Sequence, residues 1–514
     1  MARTPHPGPR AATHAPATAR QWRSLVGLCL VTVLVWVTAS DISIALPAIS
    51  ADLGGSMDTL QWAVNGYFLA GAFIIVGGRV GDIVGRRLVF AIGTLLVIAG
   101  SIVAGLSGLV GSPMILILGR ILEGIGAAAI LPTALAIIAV TFHGRQRETA
   151  IAAWIATCWG AQAVGPLVGG AIVDTIGWSW IFWMNLPLGV VALALVWRTT
   201  EESRESGAAR HVDIPGALIL VLAIVLLCYG LTAADNVSTA VFAVLILGSI
   251  LSFVGFVLIE RRTPNPVVVL SIFRNRRFDG ATAANLIANI VFGAAIFFMS
   301  LYLQVVEGYS AIMAGALLLP ATIPILVLNP LGTRLHRRFG PALPTTIGMG
   351  LLALSCILML DLSGSYVELL PAFLLLGAGI GLQITPCATV AVEDPGEAGE
   401  GVASGIFKSA SMIGGSLGVA ASTAVFQGSA PQRIDELLGS ITPDSQTIQR
   451  ILDVLTGGAT PDSIAPLIAG QDPLAFITDV FDFALGRSMW PSIIAAVLGG
   501  VLAAVLLRGR RTPS

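Results

Sequence analysis

Four ionisable side chains sit inside long apolar runs of this 514-residue chain: Asp41, Arg120, Glu123 and Lys408. Within a bilayer such a group costs roughly 2.5–3.5 kcal/mol on insertion scales, so it faces a partner or a wet cavity. Arg120 and Glu123 are three residues apart and share one helix face. At 1.5 Å per residue, Asp41 lies about 9 Å below the outer end of its helix, and Arg120 lies about 9–10 Å below the outer end of the fourth. The depths predict that they meet. The chemistry this cluster suits is proton uptake. Arg120 holds an acid ionised until substrate or conformation separates them, and protonation then releases the pair. The plainer readings are a structural Arg–Glu pair and, for Asp41, a helix-end acid near the interface.

A second set of polar and aromatic groups lies at cavity depth: Trp36, Tyr67, Trp159, Gln162, Asn285, Asn289 and Gln383. Some line a cavity or bond one helix to another. Lys408 is the only lysine. It either snorkels to the interface or places a cation in the inner cavity, which biases against cationic substrates.

Other chemistries find no support. Cys29, Cys158, Cys228, Cys356 and Cys387 lie far apart in apolar runs, and the five histidines are terminal or in loops. No spacing suits a metal site or disulfide framework. No phosphate-binding loop of the Gly-x-x-x-x-Gly-Lys-Ser/Thr type occurs, and no nucleophile–base constellation marks an enzyme. No cofactor is expected. Energy is expected from an ion gradient, where one charge crossing 100 mV provides about 2.3 kcal/mol.

The elements that must position these groups are membrane helices. The chain is 55% hydrophobic and 11% charged, with mean hydropathy +0.88, whereas a soluble domain carries roughly 25% charged residues. Spans need about 20 apolar residues, and the expected spans are 25–47, 60–79, 88–108, 114–140, 149–173, 178–197, 214–233, 239–259, 281–303, 312–331, 343–361, 369–391, 402–426 and 489–507. In lipid these are helices. The first run is too long for a signal-peptide core and is read as a retained span. With the N-terminus cytoplasmic, the outer side holds only Arg433, Arg450 and Arg487 among 28 basic residues; Arg120 and Lys408 lie within spans, and the rest face inward. This asymmetry favours an even helix count with both termini inside. A net charge of −1 gives no case for a nucleic-acid partner.

The expected organisation is a disordered cytoplasmic N-terminus (1–22), a six-helix half (23–197), a cytoplasmic linker (198–213), two extra central helices (214–260), a basic cytoplasmic loop (261–277), a second six-helix half (278–507) and a short tail (508–514). The segment 429–487 is expected outside, with short amphipathic helices over the outer face. The run Gly78-Arg79-Val80-Gly81-Asp82-Ile83-Val84-Gly85 has a degenerate copy at Thr333–Gly340, which marks two parallel repeats.

These motifs resemble the major facilitator superfamily and, within it, the fourteen-helix drug:proton antiporters. Gly78, Asp82, Gly85, Arg86 and Arg87 look like its cytoplasmic loop signature, read as a conformational latch in which Asp82 sits near a helix N-terminus. Arg120-Ile121-Leu122-Glu123-Gly124, followed by Pro132, is similar to the fourth-helix signature, with Glu123 where Gln is usual. Ser40–Pro47 resembles the first-helix signature, with Asp41 one turn outward of the family's acid, which falls on Thr38. Gly165, Pro166, Gly169 and Gly170 match the fifth-helix antiporter motif, a close-packing face with a proline that favours a bend. Trp178–Gly189 looks like the start of the sixth helix. The resemblance implies an all-α major facilitator fold in the cytoplasmic membrane, exporting small amphipathic or apolar molecules such as drugs or antibiotics in exchange for protons by alternating access. Helices 1, 2, 4 and 5 are expected to face helices 9, 10, 12 and 13 across a cavity. The alternatives are a dedicated exporter or importer of one metabolite or lipid, or a non-transporting receptor or scaffold.

Overall fold

The structure, a computed structural model, describes residues 17–54, 57–204, 213–232, 238–263, 266, 268, 270–362, 366–393, 399–439, 444–468 and 470–508. The first half runs α1 (Ala19–Leu53), α2 (Met57–Gly71), α3 (Ile74–Val84), α4 (Arg86–Val110), α5 (Pro113–Thr141), α6 (Gly144–Ile176), α7 (Trp180–Trp183) and α8 (Asn185–Thr199). Then come α9 (Ile214–Thr232) and α10 (Thr239–Glu260). The second half runs α11 (Arg276–Leu301) with a π turn over Tyr302–Val306, α12 (Ala311–Leu317), α13 (Leu319–Phe339), α14 (Ala342–Leu358), α15 (Tyr366–Glu393), α16 (Gly399–Leu438), α17 (Ser445–Leu455) and α18 (Pro473–Leu506). No strand occurs among the described residues. Eleven helical segments are long and apolar enough to cross a bilayer, and the bent α2–α3 pair makes a twelfth. The 17-residue α14 and the Pro215–Leu231 part of α9 are shorter apolar helices.

Several expected boundaries move. The N-terminal tail is not disordered up to residue 22, because α1 starts at Ala19. Thr18 caps it, its hydroxyl accepting from the Gln21 N–H while the Gln21 side chain accepts from the Thr18 N–H. Residues 1–16 of that tail and 205–212 of the linker lie outside the described residues. The expected span 60–79 is two helices bent by 41°. The break leaves the Ala72 carbonyl without a helical partner, and Ser409 of α16 donates to it at 2.7 Å. The segment 429–487 is not a loop throughout. α16 continues to Leu438 and α18 begins at Pro473, because Arg433 on the first grips Asp479 on the second through two bonds of 2.6 and 3.2 Å. α16, 40 residues long, extends roughly 60 Å, twice the hydrocarbon thickness. Between the two extensions α17 is the expected amphipathic helix, with Ile451, Val454 and Leu455 buried. The turn after it rests on the outer end of α1, where Ser50 and Thr456 hydroxyls meet at 3.3 Å.

Helices of each half pack mainly on one another: α4 on α5 and α1 on α6 in the first, α13 and α14 on α15 and α11 on α16 in the second. The extra helices are central in sequence and peripheral in space. α9 packs on α2 and α16, with Cys228 3.7 Å from the Ser416 hydroxyl. α10 leans on α9 and exposes Val244, Leu247, Leu251 and Phe253, a surface suited to lipid.

The halves touch along a seam of small residues. Gly170 of α6 lies against Ala311 and Ile312 of α12, and Gly315 of α12 lies against the Pro166 carbonyl. Asp174, one turn further along α6, accepts from the N–H groups of Ala311 (3.1 Å) and Ile312 (2.8 Å). Ser300 of α11 donates to the Ser43 carbonyl of α1 at 2.5 Å.

Candidate functional site

A cavity lies between the halves. α1, α2 and α6 wall it on one side, α11 and α16 on the other. Spans 1, 2, 5, 9 and 13 thus face the cavity as expected, whereas α5, α13 and α15 do not line it. Of the expected cavity groups, Trp36, Trp159, Gln162, Asn289 and Lys408 are brought together here. The Lys408 ammonium lies 4.1 Å from the centre of the Trp36 ring and 5.8 Å from that of Trp159.

The other expected lining groups lie elsewhere. Asn285 is buried and donates to the Phe407 carbonyl (2.8 Å) and the Ser411 hydroxyl (2.7 Å), joining α11 to α16. Gln383 is buried between α15 and α14, where its side chain packs on Gly348 and accepts from the Cys387 thiol. Tyr67 faces away from the cavity and donates to the Val35 carbonyl at 2.7 Å. Asn285 and Tyr67 find their partners on a neighbouring helix and Gln383 finds its own one turn along α15, and depth along a span does not say which face carries a polar group.

Sequence reading missed Ser40, Phe68, Phe292 and Met412, which also line the cavity. A usable signal existed. Positions 36, 40 and 43 lie one turn apart on one face of α1, 289, 292 and 296 on one face of α11, and 408, 412, 415 and 419 on one face of α16.

Behind α1 lies the buried ion pair. Arg120 is fully buried and its Nη1 meets Glu123 Oε2 at 2.8 Å. The same nitrogen donates to the Thr38 carbonyl of α1 (3.1 Å), and Nε donates to the Ala63 carbonyl of α2 (2.9 Å). The guanidinium lies 4.5 Å from the centre of the Tyr67 ring, and its Nη2 has no hydrogen-bond partner in the protein. Glu123 accepts from the Ser101 hydroxyl of α4 at 2.7 Å, and Asn185 of α8 donates to both Ser101 and the Thr38 hydroxyl at 3.0 Å. Five helices of the first half meet in this network. Ser101 was not singled out in the sequence, while Thr38 entered only as the position of the family's acid and Asn185 only within the run Trp178–Gly189, because each is an ordinary small polar residue until the fold converges them.

Asp41 does not pair directly with Arg120, whose carboxylate partner is Glu123. The guanidinium reaches α1 one turn inward, at Thr38. Asp41 is buried and within electrostatic reach of both Arg120 and Glu123. Its Cβ packs on Gly169, where any added side-chain carbon would come within 2.6 Å. Gly165 is likewise closed by Ser40. The small face of α6 is thus occupied by α1. Pro166 does not break α6, which runs unbroken from Gly144 to Ile176.

At the other end of the first half, the loop signature is tied internally. Gly85 has φ +138°, a conformation glycine adopts without strain. Arg86 binds Asp82 at 2.8 Å. The anion at the start of α4 is not Asp82 but Glu202, which accepts from the N–H groups of Arg87 (3.0 Å) and Leu88 (3.1 Å). Arg87 donates to the Thr200 carbonyl, so the segment after α8 is strapped to this loop. Removing the cap with Glu202→Ala is expected to lower stability by about 0.5–2 kcal/mol, read as a lower melting temperature of the purified protein, whereas Glu201→Ala, whose partner Arg20 is exposed, leaves it unchanged.

Two packed halves of membrane helices, a cavity at their seam and a buried ion pair beside it define a multi-pass membrane transporter. The chain belongs to the Major Facilitator Superfamily, whose family model matches residues 28–419. The quinolone resistance protein NorB of Staphylococcus aureus (strain MSSA476) is 31% identical over 409 residues, covering 78% of this chain and 88% of that one. Among solved structures, a bacterial homolog of the human lysosomal transporter Spinster matches with TM-score 0.64 at 17% identity, over 96% of this chain and 98% of that chain. The POT family transporter PepTSo matches with TM-score 0.63 at 14% identity, over 96% and 99%. These two likenesses concern the fold.

Proposed function

We propose that the chain exports small amphipathic or apolar molecules, drugs and antibiotics among them, across the cytoplasmic membrane in exchange for protons. The observation that carries the reading is the arrangement around α1: a cavity between the halves on one face and the Arg120–Glu123 pair on the other. The small-residue face of α6 and the similarity to a quinolone resistance protein support the outward direction. Counting α14 and Pro215–Leu231 as spans gives fourteen, an even number that puts both termini on one side, and the distribution of basic residues makes that side the cytoplasmic one.

In this reading Glu123 is ionised while paired with Arg120. A proton arriving from outside neutralises it, and Arg120 is freed to turn its unpartnered Nη2 toward Asp41. The shift pulls on Thr38 and Ala63 and so moves α1 and α2, two walls of the cavity. One proton entering down 100 mV supplies about 2.3 kcal/mol, enough for a concentration ratio of roughly fifty.

The test is transport of a fluorescent quinolone by purified protein in liposomes with an imposed pH gradient. Wild type is expected to accumulate the quinolone on the acidic side with proton movement in return. Asp41→Asn and Glu123→Gln are expected to lose the gradient dependence. Equal transport with no gradient, or no proton movement, would sink the reading.

A further inference from the structure

We propose that the cavity selects negatively charged cargo, and that planar aromatic carboxylates are the class it fits best. The inference rests on the cavity being the cargo chamber. Lys408 is the one charged side chain among the residues lining it. Among the described residues no carboxylate lines the wall to neutralise the ammonium. Glu123 is bonded to Arg120 behind α1, and Asp41 is buried against Gly169 of α6. Asn289 commits its amide nitrogen to Asn285, so the cationic donor the wall offers is Lys408.

A cation held in a low-dielectric chamber with no counter-charge attracts an anion strongly and repels a second cation. The ammonium rests on two indole faces, a weak hold compared with a charge-assisted bond to a carboxylate. An entering carboxylate meets the ammonium, while Trp36, Trp159, Phe68 and Phe292 offer flat apolar surface to the attached rings. A neutral amide of the same shape gains the stacking and loses the charge pairing. A quaternary aromatic cation meets Lys408 as a like charge.

The experiment measures equilibrium binding to the purified protein in lipid nanodiscs, without any gradient. The probes are 1-naphthoate, neutral 1-naphthamide and cationic 1-methylquinolinium. Wild type is expected to bind naphthoate about tenfold or more tighter than the other two. Lys408→Gln is expected to weaken naphthoate about tenfold or more relative to naphthamide, and retained naphthamide binding shows that the variant is folded. Lys408→Arg is expected to retain the preference. The proposal is overturned if wild type binds methylquinolinium as tightly as naphthoate, if naphthoate does not bind, or if Lys408→Gln weakens naphthamide equally. Because no gradient is used, these outcomes are separate from the proton-exchange test. Binding without exchange would sink the antiport reading alone, and exchange without charge preference would sink this one alone.

Discussion

Arg120→Ala is expected to abolish gradient-driven transport and to lower the stability of the purified protein by about 3–5 kcal/mol, the cost of leaving one member of a buried pair without the other. The expectation follows from full burial of both side chains and from the three further bonds that the guanidinium and Glu123 make to α1, α2 and α4. Arg120→Lys restores a charge but not the fork that reaches Thr38, Ala63 and Glu123 together, so it is expected to recover stability only in part. Glu123→Gln keeps the shape, and the Ser101 hydroxyl retains an acceptor. It is therefore expected to fold with a melting temperature nearer wild type than that of Arg120→Ala while losing proton dependence. Thermal unfolding in detergent, paired with vesicle transport, checks the set. A stable Arg120→Ala protein with intact transport would mean that the pair is incidental.

The second large effect is expected at the seam. A valine at position 170 would drive its side chain into the backbone of Ala311 and Ile312, the latter 2.8 Å from a Cβ at that site. Overpacking of this kind costs about 1–3 kcal/mol. That cost falls only on the conformation in which α6 and α12 touch, so Gly170→Val is expected to depopulate the closed seam and to cut transport by roughly five- to 150-fold. Cysteines introduced by Asp174→Cys and Ile312→Cys, with the five native cysteines replaced, are expected to crosslink readily in the parent and poorly beside Gly170→Val. Undiminished crosslinking and transport would show that the seam tolerates the wedge.

Much of the fold was legible because lipid imposes a simple rule on sequence: each backbone bond is made within its own apolar run. The boundaries that moved lie where that rule stops. Beyond the bilayer α16 and α18 continue as helices braced by Arg433 and Asp479, a contact 46 residues apart in sequence, and no hydropathy window registers it. The α2–α3 bend depends on a serine donated from α16. The site divides in the same way. Arg120 with Glu123 was readable from spacing along one helix. The error over Asp41 was one of height: depth was counted from residue 47, whereas α1 runs on to Leu53, and the guanidinium meets α1 one turn inward of Asp41. Glu202 as the α4 cap was invisible because it comes from a segment 115 residues downstream. Among the cavity groups, Trp36 and Lys408 stood out by type, while Asn285 and Asn289, one turn apart on α11, took different roles that only the facing helix could assign.

α1 is a partition. Trp36, Ser40 and Ser43 look into the chamber, while the carbonyls of Val35 and Thr38 hold Tyr67 and Arg120 on the reverse side. In the proposed exchange the passenger and the proton would occupy separate rooms and exclude each other only through the wall they share. Their antagonism would then be mechanical, and raising the concentration of one is expected to slow the other's turnover without displacing it from its seat. A gear built this way needs no shared chemistry between the two, and molecules of quite different shape can ride on it.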